Sequence, residues 1–128
     1  MRRMKTLLGS AAAVLLAATP LLAQEEKGAK EHHGGGETKK LTGEVVDMVC
    51  YIDHAATGEK HADCARKCIN GGLPVGLKAD DGKTYLIVGE HISINKELAQ
   101  YAAKKITVAG KVTSRDGFNM IENAEIQK

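Results

Sequence analysis

The order of the strand-like segments constrains the fold of this chain more than any other feature. Five segments rich in β-branched residues predict strands over 41–50, 75–79, 84–88, 106–113 and 118–126. Asp80-Asp81-Gly82-Lys83 separates the second and third segments, and Ser114-Arg115-Asp116-Gly117 separates the fourth and fifth. Both are turn sequences of the Asp-Gly kind, which favour hairpins. The pattern therefore predicts a mainly β domain built largely from antiparallel pairs.

Two helical segments interrupt these strands. Residues 59–70 are followed by Gly71 and predict a short helix after the first strand. Asn95 is a good capping residue for a second helix, which we expect to run to about residue 104. A helix between the third and fourth of five strands is the order of the OB-fold, a small barrel. We predict an OB-like barrel, with an open antiparallel sheet as the alternative, and expect Gly43 and Gly110 to let strands bend sharply.

The N-terminus has the features of an export signal. A basic start, Met-Arg-Arg-Met-Lys, precedes an apolar run of about 13 residues and a small residue at Ala23. This run is shorter than the ~20 residues that a membrane-spanning helix needs. We predict a signal peptide over 1–23 and a periplasmic or secreted protein. The polar, glycine-rich stretch 24–39 predicts a flexible tether, and 40–128 the OB-like domain.

The net charge and the aromatic content of the chain indicate whether it can bind nucleic acid. The chain has 18 Lys and Arg against 16 Asp and Glu, and loss of Arg2, Arg3 and Lys5 with the signal peptide leaves a net charge of −1. Binding of single-stranded nucleic acid by OB-folds uses a basic groove and aromatic platforms, but the chain has only three Tyr and one Phe. We predict no nucleic-acid partner and no integral membrane segment after signal cleavage, and leave a protein partner open.

The residues that could carry chemistry lie between Cys50 and Cys68. If 59–70 is helical, His61, Cys64 and Cys68 stand at i, i+3 and i+7 and share one face. Cys50 ends the preceding predicted strand and could meet that face. Three thiols and one imidazole predict a site for one metal ion, copper or zinc, in metal handling or electron transfer. No catalytic residue is predicted, because no nucleophile–base or dinucleotide motif is present.

The cysteines also admit other interpretations. Cys50 could form a structural disulfide with Cys64 or Cys68, as exported proteins often do, although this leaves an odd thiol. Cys64 and Cys68 could instead be a redox pair, whose i, i+4 spacing would give a strained and easily reduced bond. In a third interpretation all three cysteines are small buried apolar side chains. A disulfide would make the chain a stapled structural or interaction domain.

The combined pattern of Cys-Tyr, His-x-x-Cys-Ala-x-x-Cys and Gly-x-Pro-x-Gly resembles that of a group of small, uncharacterised exported bacterial proteins with an OB-fold-like domain. The matching positions are Cys50, Tyr51, His61, Cys64, Ala65, Cys68, Gly72, Pro74 and Gly76. The resemblance covers about residues 40–126 and implies the barrel and the site, not a function. The Cys-x-x-x-Cys spacing is also similar to that of copper chaperones of cytochrome oxidase assembly. Those proteins are thioredoxin-like, so only the ligand set carries over.

Overall fold

The computed structural model describes residues 36–128. The strands are β1 (Glu37–Asp47), β2 (Val75–Ala79), β3 (Thr84–Ile87), β4 (Lys105–Arg115) and β5 (Phe118–Gln127). The helices are α1 (Met48–His54), α2 (Ala62–Asn70) and α3 (Asn95–Leu98), with 3-10 turns at Glu59–His61 and Ala99–Tyr101. The predicted signal peptide lies outside the described residues, as does the predicted tether up to residue 35. Over 36–128, no helix has the length and apolar character of a membrane span.

The five strands close into a barrel in the order β1-β2-β3-β5-β4. All neighbouring strands are antiparallel except β3 and β5, which are parallel. Gly43 pairs with both Ala79 of β2 and Ile106 of β4, so β1 changes partners at this residue. A side chain at Gly43 would collide with the backbone of Lys78, which explains the glycine. The predicted OB-like barrel is confirmed, and the open sheet was wrong.

The turns and bends follow the sequence signals closely. Gly82 has a φ of 84° between β2 and β3, and Asp116 and Gly117 have φ values of 51° and 85° between β4 and β5. Two successive positive φ values are typical of a type I′ hairpin turn. Gly110 lies where the β4–β5 register shifts, and a Cβ there would approach Ile121 Cγ2 to 2.6 Å. Both predicted hairpins are confirmed.

The core fills the barrel and extends beneath the helices. The largest fully buried side chains are Val45, Val46, Ile69, Leu77, Ile87, Leu98, Val108 and Ile121. Ile69 belongs to α2 and is 0% exposed. Burial of a side chain of this size contributes about 1.5–3 kcal/mol. The apolar face of α2 therefore fixes this helix on the barrel and leaves its other face available.

The first strand ends earlier than the sequence predicts. Val49, Tyr51 and Ile52 favour a strand by intrinsic preference, yet they lie in α1. The reason is Asp47, whose carboxylate accepts hydrogen bonds from the backbone N–H groups of Val49 (3.4 Å) and Cys50 (2.9 Å). This cap starts a helix at a point where the sequence predicts that the strand continues. The prediction that Cys50 ends a strand was wrong, because Cys50 lies in α1.

The second predicted helix is shorter than expected and lacks the expected cap. Asn95 is the first helical residue, and its side chain donates instead to the carbonyls of Ile69 (3.0 Å) and Leu73 (2.8 Å). The helix cannot continue to residue 104 because the backbone of residues 103 and 104 forms hydrogen bonds with β1 instead. Ala103 N–H donates to the Val45 carbonyl at 2.9 Å, and Val45 N–H donates to the Lys104 carbonyl at 3.0 Å.

Candidate metal centre

The three cysteines converge where α1 faces α2. Cys50 lies in α1, while Cys64 and Cys68 lie in α2 at i and i+4, on one face of that helix. Their three sulfur atoms lie within 4.8 Å of one another, and all three thiols are free. Cys50 and Cys68 are half-buried, and Cys64 is exposed. We refer to Cys50, Cys64 and Cys68 as the thiol trio.

The segment between α2 and β2 holds the two helices in place. Gly72 has a φ of 95°, which lets the chain turn away from the end of α2. The Pro74 carbonyl accepts a hydrogen bond from Met48 N–H at 2.9 Å at the start of α1. Gly76 packs directly beneath the Met48 side chain, with which any larger residue would collide. The Gly-x-Pro-x-Gly pattern therefore positions α1, and with it Cys50.

Asp47 dominates the electrostatics of the trio. It is 2% exposed and is the single buried charged residue among residues 36–128. Its hydrogen bond with the Cys50 thiol is the main cause that raises the pKa of Cys50 to about 12, followed by partial burial and by the carboxylate's negative charge. Partial burial first, and then the charge of Asp47, also raises the pKa of Cys68. Both groups are therefore protonated thiols at neutral pH in the metal-free protein.

His61 does not join the thiol trio in the structure. The ligand atoms that lie within 4.8 Å of one another come from the three cysteines, with no imidazole among them. The predicted i, i+3, i+7 alignment fails because α2 begins at Ala62 and His61 belongs to the preceding 3-10 turn. Its backbone (φ −104°, ψ 0°) departs from α-helical values. The His61 ring lies instead near the ring of His54, with centroids 6.3 Å apart.

The sulfur positions suit a metal–thiolate site. With metal–sulfur bonds of about 2.3 Å, sulfurs in a trigonal plane are about 4.0 Å apart and those in a tetrahedron about 3.8 Å. The observed upper limit of 4.8 Å means that each pair needs to close by less than about 1 Å. Rotation of the cysteine side chains can supply a movement of this size without a change in the backbone. The three cysteines are thus close enough to hold a metal ion.

Asp47 is the site residue that sequence reasoning missed. It stands at the end of the apolar run of β1, where a charged residue is unusual unless it caps a helix or serves a site. That position, one turn before Cys50, was the available signal. Two other histidines, His32 and His33 of the predicted tether, lie outside the described residues.

Comparison with protein-family models, with curated proteins and with solved structures gave no significant match. The chemistry of the site is therefore the evidence for its function.

Proposed function

We propose that this protein is an exported domain that binds one Cu(I) ion through Cys50, Cys64 and Cys68 and serves in copper handling. The observation that carries the proposal is the convergence of three free sulfurs within 4.8 Å from two helices that the barrel holds in place. Thiolate is a soft ligand, and soft ligands select Cu(I), zinc and iron–sulfur clusters among the metals of proteins.

The number of ligands favours copper over zinc. Structural zinc is almost always held by four protein ligands in a tetrahedron, and the structure brings three together. His61, the predicted fourth ligand, is not among the ligand atoms that lie within 4.8 Å of one another. Three thiolates alone satisfy Cu(I). Zinc held by the thiol trio and His61 is the alternative that the variants below distinguish.

The thiol chemistry argues against a thiol–disulfide redox protein. Catalytic cysteines of that class have depressed pKa values, since the thiolate is the attacking species. Here the hydrogen bond with Asp47 raises the pKa of Cys50, and partial burial together with the charge of Asp47 raises that of Cys68. The site is also less suited to electron transfer. Blue-copper centres use two histidines and one cysteine, whereas three thiolates favour Cu(I) over Cu(II).

The same protonated thiols fit a location outside the cytoplasm. The proposal of export depends on the signal-like residues 1–23. An oxidising compartment converts reactive thiols to disulfides, but protonated thiols attack disulfides slowly, since the rate depends on the thiolate fraction. The negative charge of Asp47 thereby helps to keep Cys50 and Cys68 reduced until a metal arrives. Metal binding then replaces the thiol protons, which leave to solvent.

The test is a Cu(I) titration of the reduced protein against a chromophoric Cu(I) chelator under anaerobic conditions. We expect one Cu(I) per chain, lost in Cys50→Ser, Cys64→Ser and Cys68→Ser. His61→Ala is the matched control and should retain Cu(I) with unchanged affinity. Retention of full binding in the cysteine variants would refute the site. A loss of affinity in His61→Ala equal to that of a cysteine variant would support the four-ligand alternative.

A further inference from the structure

His54 and His61 form a pair next to the thiol trio. His54 is the last residue of α1, and His61 immediately precedes α2. Their ring centroids are 6.3 Å apart, with a tilt of 56° between the ring planes. His54 also follows Cys50 by four residues on α1, and residues at this spacing are neighbours on a helix surface. The two imidazoles therefore lie at the edge of the trio.

We propose that His54 and His61 form a second metal site, for a divalent transition-metal ion of borderline softness such as Zn²⁺, Cu²⁺ or Ni²⁺. This site goes beyond the Cu(I) proposal and does not depend on it. Imidazole nitrogen is a good ligand for all three ions, whereas the thiol trio prefers softer ones. Two protein ligands leave the other coordination positions to water, so the site would be open.

The ring separation suits one bridging ion. A metal bonded to an imidazole nitrogen lies roughly 3.2 Å from the ring centroid, given a metal–nitrogen bond of about 2.1 Å. Two such rings on one ion have centroids about 5.2 Å apart at a tetrahedral angle and about 6.4 Å apart in a linear arrangement. The observed 6.3 Å is close to the linear value. A tetrahedral ion would require the two centroids to approach by about 1.1 Å and a nitrogen of each ring to turn toward the ion, which rotation of the side chains can supply.

Asp53 orients one of the two rings. Its carboxylate oxygen lies 3.2 Å from His54 Nδ1. A proton on Nδ1 donates to this carboxylate, which leaves the Nε2 lone pair free to bind a metal. Hydrogen bonds from metal-binding imidazoles to carboxylates are common because they fix the tautomer and make the ring more basic.

The loop between the two histidines is anchored to the barrel. Ala56 is buried, and its N–H donates to the Cys50 carbonyl at 3.3 Å. Gly58 N–H donates to the Glu44 side chain of β1, and His61 N–H donates to the Gly58 carbonyl at 2.9 Å. These bonds fix the ends of both helices relative to each other. The fold therefore sets the backbone positions from which both imidazoles project, while rotation of the side chains adjusts the spacing of the rings.

The experiment is a Zn²⁺ titration of the full exported chain followed by NMR of the imidazole protons. A variant with all three cysteines changed to serine removes the thiol ligands, and its amide spectrum reports whether it folds. The same titration on the wild-type protein preloaded with Cu(I) gives a second measurement should that variant unfold. We expect the resonances of His54 and His61 to shift together, with saturation at one ion.

Single variants assign the ligands. His54→Ala and His61→Ala should each weaken Zn²⁺ binding at these resonances by at least about tenfold, since even outer-shell changes cost 10–100-fold. His91→Ala is the matched control, because His91 lies beside Glu122 (3.4 Å). A His32→Ala/His33→Ala double variant removes the tether histidines and should leave the binding intact.

Two results would overturn the inference: imidazole resonances of His54 and His61 that do not move together, or Zn²⁺ affinity that survives loss of either ring. The two proposals fail separately. Failure to bind Cu(I) with intact Zn²⁺ binding at the imidazoles refutes only the copper proposal. Cu(I) binding without any response of the imidazoles to Zn²⁺ refutes only the second site.

Discussion

Replacement of Asp47 by Asn should make the Cys50 thiol more reactive. Asn is as good a helix cap as Asp, so α1 should still begin at Met48, while the negative charge beside the thiol is lost. The hydrogen bond and charge of Asp47 are the first and third causes that raise the pKa of Cys50 from 9.0 to about 12. An Asn oxygen can still accept a hydrogen bond from the thiol, but a neutral acceptor binds it more weakly, so loss of the carboxylate moves that pKa back toward its ordinary value.

The magnitude follows from the thiolate fraction at pH 8. A full return of the Cys50 pKa from about 12 to 9.0 would raise this fraction about a thousandfold. A thiolate of lower pKa is also a weaker nucleophile, by roughly 15–30-fold for such a change at a Brønsted slope of about 0.4–0.5. The largest possible increase in the reaction rate of Cys50 is thus about 60-fold. Burial and Cys64 still raise the pKa in the variant, so we expect an increase of about tenfold.

The assay is alkylation of the reduced, metal-free protein with iodoacetamide at pH 8, with the modification of Cys50 followed by peptide mass spectrometry. Asp80→Asn is the matched control, because Asp80 carries the same charge but pairs with Lys105 (2.8 Å) at the surface. The control should react at the wild-type rate. An unchanged rate in folded Asp47→Asn would refute the assignment of the raised pKa to Asp47.

Three further predictions concern stability and metal exchange. Ile69→Ala should destabilise the fold by about 2–4 kcal/mol through the cavity it leaves, whereas Ile52→Ala, at a residue 74% exposed, should change urea stability by less than about 0.5 kcal/mol. Burial, followed by the hydrogen bond that Tyr85 donates to Asp81 at 2.6 Å, raises the pKa of Tyr85 to about 12, and that of Cys50 is also raised to about 12. The free energy of unfolding in urea should therefore be constant below about pH 9 and fall toward pH 12, and equal stability at pH 8 and 11.5 would contradict this. The apparent Cu(I) affinity should rise with pH by up to about a thousandfold per pH unit, because three thiol protons are displaced, and a pH-independent affinity would contradict thiolate ligation.

Much of the barrel could be predicted from the sequence because its signals are local. The Asp-Gly turns determine the two hairpins, and Gly43 marks the bend at which β1 changes partners. The spacing of Cys64 and Cys68 similarly placed two thiols on one helix face.

The remaining features depend on contacts between distant segments. α1 was missed because Val49, Tyr51 and Ile52 favour strands, while one buried carboxylate decides in favour of the helix. The shortened α3 reflects two backbone hydrogen bonds with Val45 in β1, one donated by Ala103 N–H and one accepted by the Lys104 carbonyl. His61 lies in a 3-10 turn before α2 and outside the group of three sulfurs, a position that the helical spacing did not indicate. No local pattern contains these tertiary effects.

The most direct test of copper binding by the three cysteines is copper K-edge X-ray absorption on the one-to-one Cu(I) complex of the protein. Coordination by the three cysteines alone predicts a first shell of three sulfurs at about 2.3 Å from the copper, with no nitrogen scatterer. A shell that includes an imidazole nitrogen, or that contains only two sulfurs, would contradict a site made from Cys50, Cys64 and Cys68.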